Sequence, residues 1–142
     1  MLNGAAAQLI FSGRRIEVKM MDAINRTDNA LKSLPSLRSV RGLRYDETCV
    51  HFSFSIKINQ KRCPSAIWSW YVVAGEKEPG GDWKFWGLTC KPQIDFGEFG
   101  LRELQMIAKS WNSELLFDAD FELTPLSRVM EKLGVKWHNS DW

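Results

Sequence analysis

The strictest pattern in the chain runs from Val50 to Asn59, where Val50, Phe52, Phe54, Ile56 and Ile58 alternate with His51, Ser53, Ser55, Lys57 and Asn59. A period of two puts the apolar side chains on one side of an extended backbone, so this segment predicts a long strand with one buried face. Gln60 to Ser65, basic and containing Pro64, predicts a loop. In the second strand, Ala66 to Ala74, the residues Ile67, Trp68, Trp70, Tyr71, Val72 and Val73 offer apolar side chains to both faces, which suits a central position. Pro79, Gly80 and Gly81 mark a turn within Glu76 to Asp82. Trp83 to Cys90 then reads as a third strand with Gly87 inside it, and Ile94 to Phe99 as a short extended piece. Short loops between consecutive strands imply antiparallel pairing, because parallel neighbours need a longer crossover.

Helical spacing appears on either side of this block. Met20, Ala23, Ile24, Ala30, Leu31 and Leu34 fall mostly three, four and seven apart, which predicts an amphipathic helix ended by Pro35. Leu101, Leu104, Ile107, Ala108 and Trp111 predict a second helix, Leu101 to Trp111. In a third, Thr124 would cap the first turn, Pro125 would fill the first helical position, Leu126, Val129, Met130 and Leu133 would form the apolar stripe, and Gly134 would end it. The order predicts an α+β fold: an antiparallel β-meander of three to four strands packed by an N-terminal helix and two C-terminal helices. Residues 1–18 lack a sustained period and contain Gly4 and Gly13, so they read as a flexible N-terminal extension to one domain spanning residues 19–142. Met20 and Met21 are candidate alternative translation starts.

Composition narrows the function classes. With 142 residues, 44% of them hydrophobic, the chain is long enough to close one core. No apolar run approaches the roughly 20 residues of a membrane-spanning helix, and no basic segment precedes a signal-like stretch, so a cytoplasmic protein is expected. Cys49, Cys63 and Cys90 are an odd, scattered set, and His51 and His138 lie at no metal-ligating spacing from them; neither a disulfide framework, a metal nor a cofactor is expected. Charge is uneven: residues 1–62 carry 11 Lys/Arg against 5 Asp/Glu, residues 63–142 carry 8 against 12. Such asymmetry offers a basic face to an acidic partner.

Five motifs carry a resemblance. Leu34-Pro-Ser-Leu37, Trp68-Ser-Trp-Tyr-Val-Val-Ala-Gly-Glu76, Trp83-Lys-Phe-Trp-Gly-Leu88, Gly97-Glu-Phe-Gly-Leu-Arg-Glu-Leu104 and Phe121-Glu-Leu-Thr-Pro-Leu-Ser127 occur in this order over residues 30–133. Together they resemble a family of small bacterial proteins of unknown function, carried by plasmids, integrative elements and phages. The sequence departs from that pattern where Gly100 replaces a helix-capping Ser, where residues 109–118 lack a Gly-Pro-rich stretch, and in its N-terminal extension. The family offers no catalytic residue to carry over. The resemblance implies a mobile element as genomic setting, with transfer, replication control or resistance to host defences as the expected roles.

Candidate sites come from the residues themselves. Seven tryptophans are many for one small domain, and on adjacent strands Trp68 and Trp70 share a face while Trp83 and Trp86 point oppositely. A tryptophan left open beside Lys61, Arg62 and Lys84 would stack on a nucleobase or anchor a protein; the plainer reading is that all fill the core. Arg38, Arg41 and Arg44 recur at every third position and would meet phosphates or an acidic surface, or simply line a solvated loop. Glu76, Glu78 and Asp82 are carboxylates at one turn that would serve a small hydrolase, although turn chemistry alone explains Asp82 and the glycines. Cys49 with His51 would pair a thiol with a base only if both faced away from Val50 and Phe52. The phosphate-loop, nucleophile-elbow and zinc-helix motifs do not occur. The leading expectation is a non-enzymatic protein-binding protein, with inhibition of a host defence system among its roles. Single-stranded nucleic-acid binding and hydrolysis are the alternatives, and the oligomeric state stays open.

Overall fold

The computed structural model describes residues 27–60, 63–91, 93–118 and 120–135. The expected extension 1–18, the candidate starts Met20 and Met21, and the candidate site residues Lys61 and Arg62 lie outside them. The chain forms two compact units, one reaching to Ser33 and one beginning at Leu34. In the first, residues 27–32 are helical. Lys32 pairs with Asp28 one turn back at 3.3 Å, and the Ser33 hydroxyl donates to the Ala30 carbonyl at 2.8 Å as the turn closes. The helix stops just ahead of Pro35, whose ring pushes Leu34 out of the helical region.

The second unit contains β1 (Cys49–Val50), β2 (Phe52–Gln60), β3 (Cys63–Lys77), β4 (Trp83–Cys90), β5 (Ile94–Gly100), β6 (Leu115–Phe117) and β7 (Thr124–Pro125). Its helices are α1 (Leu37–Val40), α2 (Leu101–Ser110) and α3 (Leu126–Lys132). The main sheet has five strands in the order β5-β4-β3-β2-β6, all neighbours antiparallel, and β1 pairs with β7 in a separate two-stranded ribbon. The fold is α+β, as the pattern predicts, with β3 at the centre. Four details differ. A fifth strand, β6, joins the far edge beside β2; the loop after β2 is shorter than expected because β3 already begins at Cys63; and a short helix, α1, occupies what reads as loop. Thr124 and Pro125 do not open α3: they pair with Val50 and Cys49, and the Thr124 hydroxyl donates to the Glu122 carbonyl rather than capping a helix. Gly134 does end α3 in the left-handed region, at φ 74.

Side-chain alternation gives the sheet two differently built faces. On the first, Phe52, Phe54, Ile56 and Ile58 of β2 stand opposite Val72, Trp70, Trp68 and Ala66 of β3. Phe85, Phe99 and Phe117 continue this layer from β4, β5 and β6, and ring contacts of 5.2–6.2 Å link Phe117, Phe52, Phe54, Phe85 and Phe99. The chain leaves β5 at one edge and returns as β6 at the other. Five strands span about 19 Å between edge axes, and a ten-residue helix covers about 15 Å, so α2 carries most of the crossing and residues 111–114 complete it. It buries Leu104 and Ala108, and Trp111 at its end meets Trp68 edge-on at 5.7 Å.

The second face depends on a bulge in β3. Pairing with β4 skips one residue between Val72 and Ala74, so Val73 and Ala74 both enter the same buried cluster, together with Leu88, Val40, Tyr45, Val50, Leu126, Val129 and Met130. Beyond the bulge the parity of β3 is reversed: Gly75 lies on the phenylalanine face opposite Phe85, and Glu76 on the other face opposite Lys84. Gly87 makes this possible, since a Cβ there would overlap the Tyr71 carbonyl oxygen. Gly97, its partner on β5, has nothing within 4 Å of where a Cβ would be. Gly87→Ala should therefore destabilise the protein by about 1–3 kcal/mol while Gly97→Ala leaves stability nearly unchanged, as read from urea midpoints. Equal midpoints for the two variants would contradict the assigned close approach.

Candidate functional site

Two carboxylates singled out in the sequence hold helices in place. One Glu76 oxygen accepts the Leu37 backbone N–H at 3.0 Å, while Ser36 accepts the Ser39 N–H at 3.2 Å. A four-residue helix has too few internal hydrogen bonds to persist by itself, and α1 is fixed by these acceptors at its first turn. At the other helix, Asp82 accepts both the Trp83 N–H at 2.8 Å and the Arg102 N–H at 3.1 Å. The N-cap of α2 is Gly100, which has no side chain to accept; only the reciprocal half of a capping box is present, the Gly100 N–H donating to Glu103 at 3.2 Å. Asp82, from a distant turn, replaces the missing cap, and Arg102 fastens the same turn by donating to the Gly80 carbonyl at 3.1 Å. A Cβ on Gly100 would approach the second Asp82 oxygen to 3.2 Å, so the glycine leaves room for the carboxylate. Glu78 closes the turn through its backbone, accepting from Gly81 N–H at 2.9 Å and donating to Asp82 O at 2.7 Å.

The cation set is split by its partners. Arg44 is neutralised by Asp46 at 3.0 Å and Glu47 at 3.6 Å, and Lys84 pairs with Glu98 across β4 and β5 at 3.5 Å. Arg38 and Arg41 are exposed and their guanidinium groups make no hydrogen bond or ion pair among the described residues. Trp83 and Trp86 do face opposite sides, and both are partly buried: Trp83 lies nearly parallel to Phe85, centroids 6.2 Å apart, and Trp86 lies on Phe96 at 5.4 Å with 9° between planes. Phe96 in turn stacks on buried Tyr45 at 5.1 Å and 13°. Among the described residues, Tyr45, Phe96 and Trp86 thus stack in a ring ladder on the second face.

Trp86 borders a groove of about 550 Å³ between α1 and the β4–β5 edge. Leu37 and Val40 form its aliphatic wall, Arg41 and the turn at Gly42 one rim, Gly97 and Glu98 the other. Trp86 and Arg41, distant in sequence, are brought together; Trp83 and Arg44 do not line this groove. The participation of Leu37, Val40, Phe96 and Glu98 is not apparent from the sequence, apart from Leu37 closing the Leu-Pro-x-Leu motif.

Elsewhere on the second face, a cleft of about 380 Å³ lies between Tyr71, Asp118, Asp120, Phe121, Glu122 and Lys132. Burial, the nearby Cys90 and Asp118 raise the Tyr71 phenol above its ordinary value, partly offset by a hydrogen bond with Ser69. Burial pushes the Cys90 thiol up to about 11, which keeps it protonated and poorly nucleophilic at neutral pH. Cys49 and His51 share no hydrogen bond; the His51 N–H of the backbone donates to Val72 O at 2.9 Å, and burial lowers the imidazole's affinity for a proton. No group of three or more His, Cys, Asp and Glu among the described residues is arranged to hold a metal ion, and no helix among them is long and apolar enough to cross a membrane.

No protein-family model, curated protein or solved structure matches the chain.

Two outcomes follow from these assignments. Asp82→Ala should cost about 1 kcal/mol, and adding Gly100→Ser to that variant should recover part of it by supplying a local cap in the vacated space; a double variant no more stable than Asp82→Ala would exclude the exchange. For Cys90, the raised value in the folded state means that its contribution is complete below the ordinary thiol value of 9.0 and is lost as pH rises towards about 11. Thermal melts of Cys90→Ser should accordingly decline less over this interval than those of the unaltered protein.

Proposed function

We propose that the chain is a non-enzymatic binding protein that acts through protein–protein contact, with the α1–β5 groove as its working surface. The observation carrying this reading is the meeting of stacked rings, an aliphatic wall and an arginine without an ion pair among the described residues in one open concavity. Aromatic and arginine side chains in such a setting are the usual anchors of binding energy at interfaces. The carboxylates that suggested hydrolysis have helix-capping work to do, Glu76 at α1 and Asp82 at α2. The resemblance to proteins of mobile elements suggests that the partner is a host or element protein, and that inhibition of a defence system is the biological role.

Single-stranded nucleic acid is the second reading, favoured by Arg41 beside Trp86 and by the exposed Arg38 in α1, both without an ion pair among the described residues. The two readings separate in one experiment. The immobilised full chain and its Trp86→Ala and Arg41→Glu variants are exposed to nuclease-treated native lysate. A protein retained by the unaltered chain and lost from both variants, each with unaltered far-UV circular dichroism, is the expected outcome. Retention that ignores both substitutions would remove the groove from the reading. Quenching of tryptophan fluorescence by oligothymidylate at low salt, steeply reversed by added salt, would favour nucleic acid instead.

A further inference from the structure

The groove lies at the β4–β5 end of the main sheet, and the β6–β2 end carries a separate surface. We infer that this surface pairs with the same surface of a second copy of the chain. In the resulting two-fold dimer, Lys57 of each copy meets Asp118 of the other, and the two Leu116 side chains meet on the axis. Neither the groove nor its rings take part.

The surface follows from strand register. On the second face, β2 presents Ser53, Ser55 and Lys57 opposite Tyr71, Ser69 and Ile67 of β3, and Leu116 of β6 lies opposite Ser55. Asp118 comes beside Ser53, to whose carbonyl its backbone N–H donates at 3.1 Å, and its offset of two from Leu116 keeps it on the same face. Three rows therefore cross the strands: Lys57 and Ile67 form one, Leu116, Ser55 and Ser69 the middle one, and Asp118, Ser53 and Tyr71 the third. Ile67 is 63% exposed and Leu116 49%. Two exposed apolar side chains alone are ordinary; the charges on either side of them give the strip its meaning.

Lys57 stands two residues to one side of the middle row and Asp118 two to the other, about 7 Å each way. Both are exposed, and neither is in an ion pair among the described residues. Asp118 Oδ1 accepts the Asp120 backbone N–H at 3.1 Å, which holds the carboxylate in place, and Asp120 and Glu122 add negative charge at the same end. A half-turn about the middle row, in the plane of the sheet, exchanges the two outer rows. Lys57 then faces Asp118 of the second copy, the reverse contact forms as well, and Leu116 faces Leu116: the self-complementary pattern that a two-fold interface requires. A phosphate backbone would meet three carboxylates at one end of the strip, and a partner of a single charge sign would be repelled at one end or the other. A copy of the same surface suits both ends.

The relief of this face agrees with the same operation. From the Tyr71 row onwards the sheet is covered: Phe121 lies against Tyr71 at 6.2 Å, and Leu126, Val129 and Met130 share a buried cluster with Val73, Ala74 and Leu88. At the Ile67 row it is bare. The half-turn sets the covered end of each copy over the bare end of the other, so that the two steps interlock in the roughly 10 Å that separates packed sheets. The cleft of about 380 Å³ between Tyr71, Phe121 and the acids of residues 118–122 lies along this step. Ile67 of the second copy comes down beside its two rings, while the neighbouring Lys57 reaches the carboxylates.

The test is sedimentation equilibrium of the full chain at concentrations up to about 1 mM, since a contact of this size belongs with the weaker interfaces. A monomer–dimer equilibrium that added salt weakens is the expected result. Leu116→Lys, which sets two ammonium groups on the axis, should raise the dissociation constant by about tenfold or more with far-UV circular dichroism unaltered. Lys57→Glu and Asp118→Lys should each weaken self-association. An equimolar mixture of those two variants should form a heterodimer tighter than either homodimer, because both contacts then join opposite charges. A monomer at every concentration, a dimer indifferent to Leu116→Lys, or a mixture no tighter than its components would each overturn the inference. So would a dimer weakened by Arg41→Glu in place of Leu116→Lys, which would put the contact at the α1–β5 groove. Absence of the dimer leaves the lysate result at the groove unchanged, so the two readings fail separately.

Discussion

One skipped residue in the central strand determines where most of this structure's chemistry lies. Up to Val72, even-numbered residues of β3 face the phenylalanine layer; past the bulge, odd-numbered ones do. Had the ladder continued without interruption, Glu76 would stand among the rings and Gly75 on the opposite side. An unpaired carboxylate in an apolar layer is costly, and α1 would lose its acceptor. The bulge puts a glycine under Phe85, where a Cβ would come within 2.8 Å of the ring, and lets that ring reach Phe52 and Phe54 across the strand. The same shift sends Glu76 to the side where α1 needs a cap. Gly87 is the matching part of this arrangement, because only a residue without a side chain can sit so close to the Tyr71 carbonyl.

Long-range capping is the second theme. Both α1 and α2 begin where the local sequence offers an incomplete cap, and in both a carboxylate from the segment around the β3–β4 turn completes it: Glu76 over 39 positions and Asp82 over 20. A hairpin turn with two helix starts attached is constrained from several sides, and its carboxylates have hydrogen-bonding partners that explain their presence. The clustering of acids at a turn, which on the page looks like a catalytic group, is in this fold a way of ordering helices on opposite faces of one sheet.

How much of this was legible in the sequence depends on whether the signal was local. The alternation at Phe52, Phe54, Ile56 and Ile58 is a two-residue period with one buried face, and β2 follows from it. Apolar side chains on both sides of the second strand gave its central place. The bulge leaves no such mark, because Val73-Ala74 reads equally well as the continuation of a strand buried on both faces. Thr124-Pro125 carries good helix-start chemistry, yet backbone pairing with Cys49–Val50 uses those groups instead. The Leu115–Phe117 strand is too short to show a period, and α1, only four residues long, depends on an acceptor far away. For the candidate site, Trp86 and Arg41 are visible as separate candidates, but their meeting requires the placement of α1 against β3, which the Leu37 N–H to Glu76 and Gly75 N–H to Pro35 hydrogen bonds fix. Arg38 and Arg44 look equivalent in sequence; acids two and three positions beyond Arg44 distinguish them.

The groove is also held in a fixed shape before anything enters it. Its floor is Trp86 stacked on Phe96 and, through it, on Tyr45, whose backbone carbonyl accepts the Ser127 N–H at the start of α3 at 3.2 Å. Its wall is α1, tied to β3 by Glu76. Neither part has many alternative rotamers or backbone states to lose on association, and ordering side chains is a main cost of forming an interface, about 0.5–1.5 kcal/mol for each flexible one. The exposed Arg41 stands at the rim, where charge governs encounter rate and choice of partner more than the depth of binding. On the protein-binding reading proposed above, a rigid apolar floor with a cation at its margin would divide the work of recognition: the rings would set how long a partner stays, and Arg41 which partners arrive.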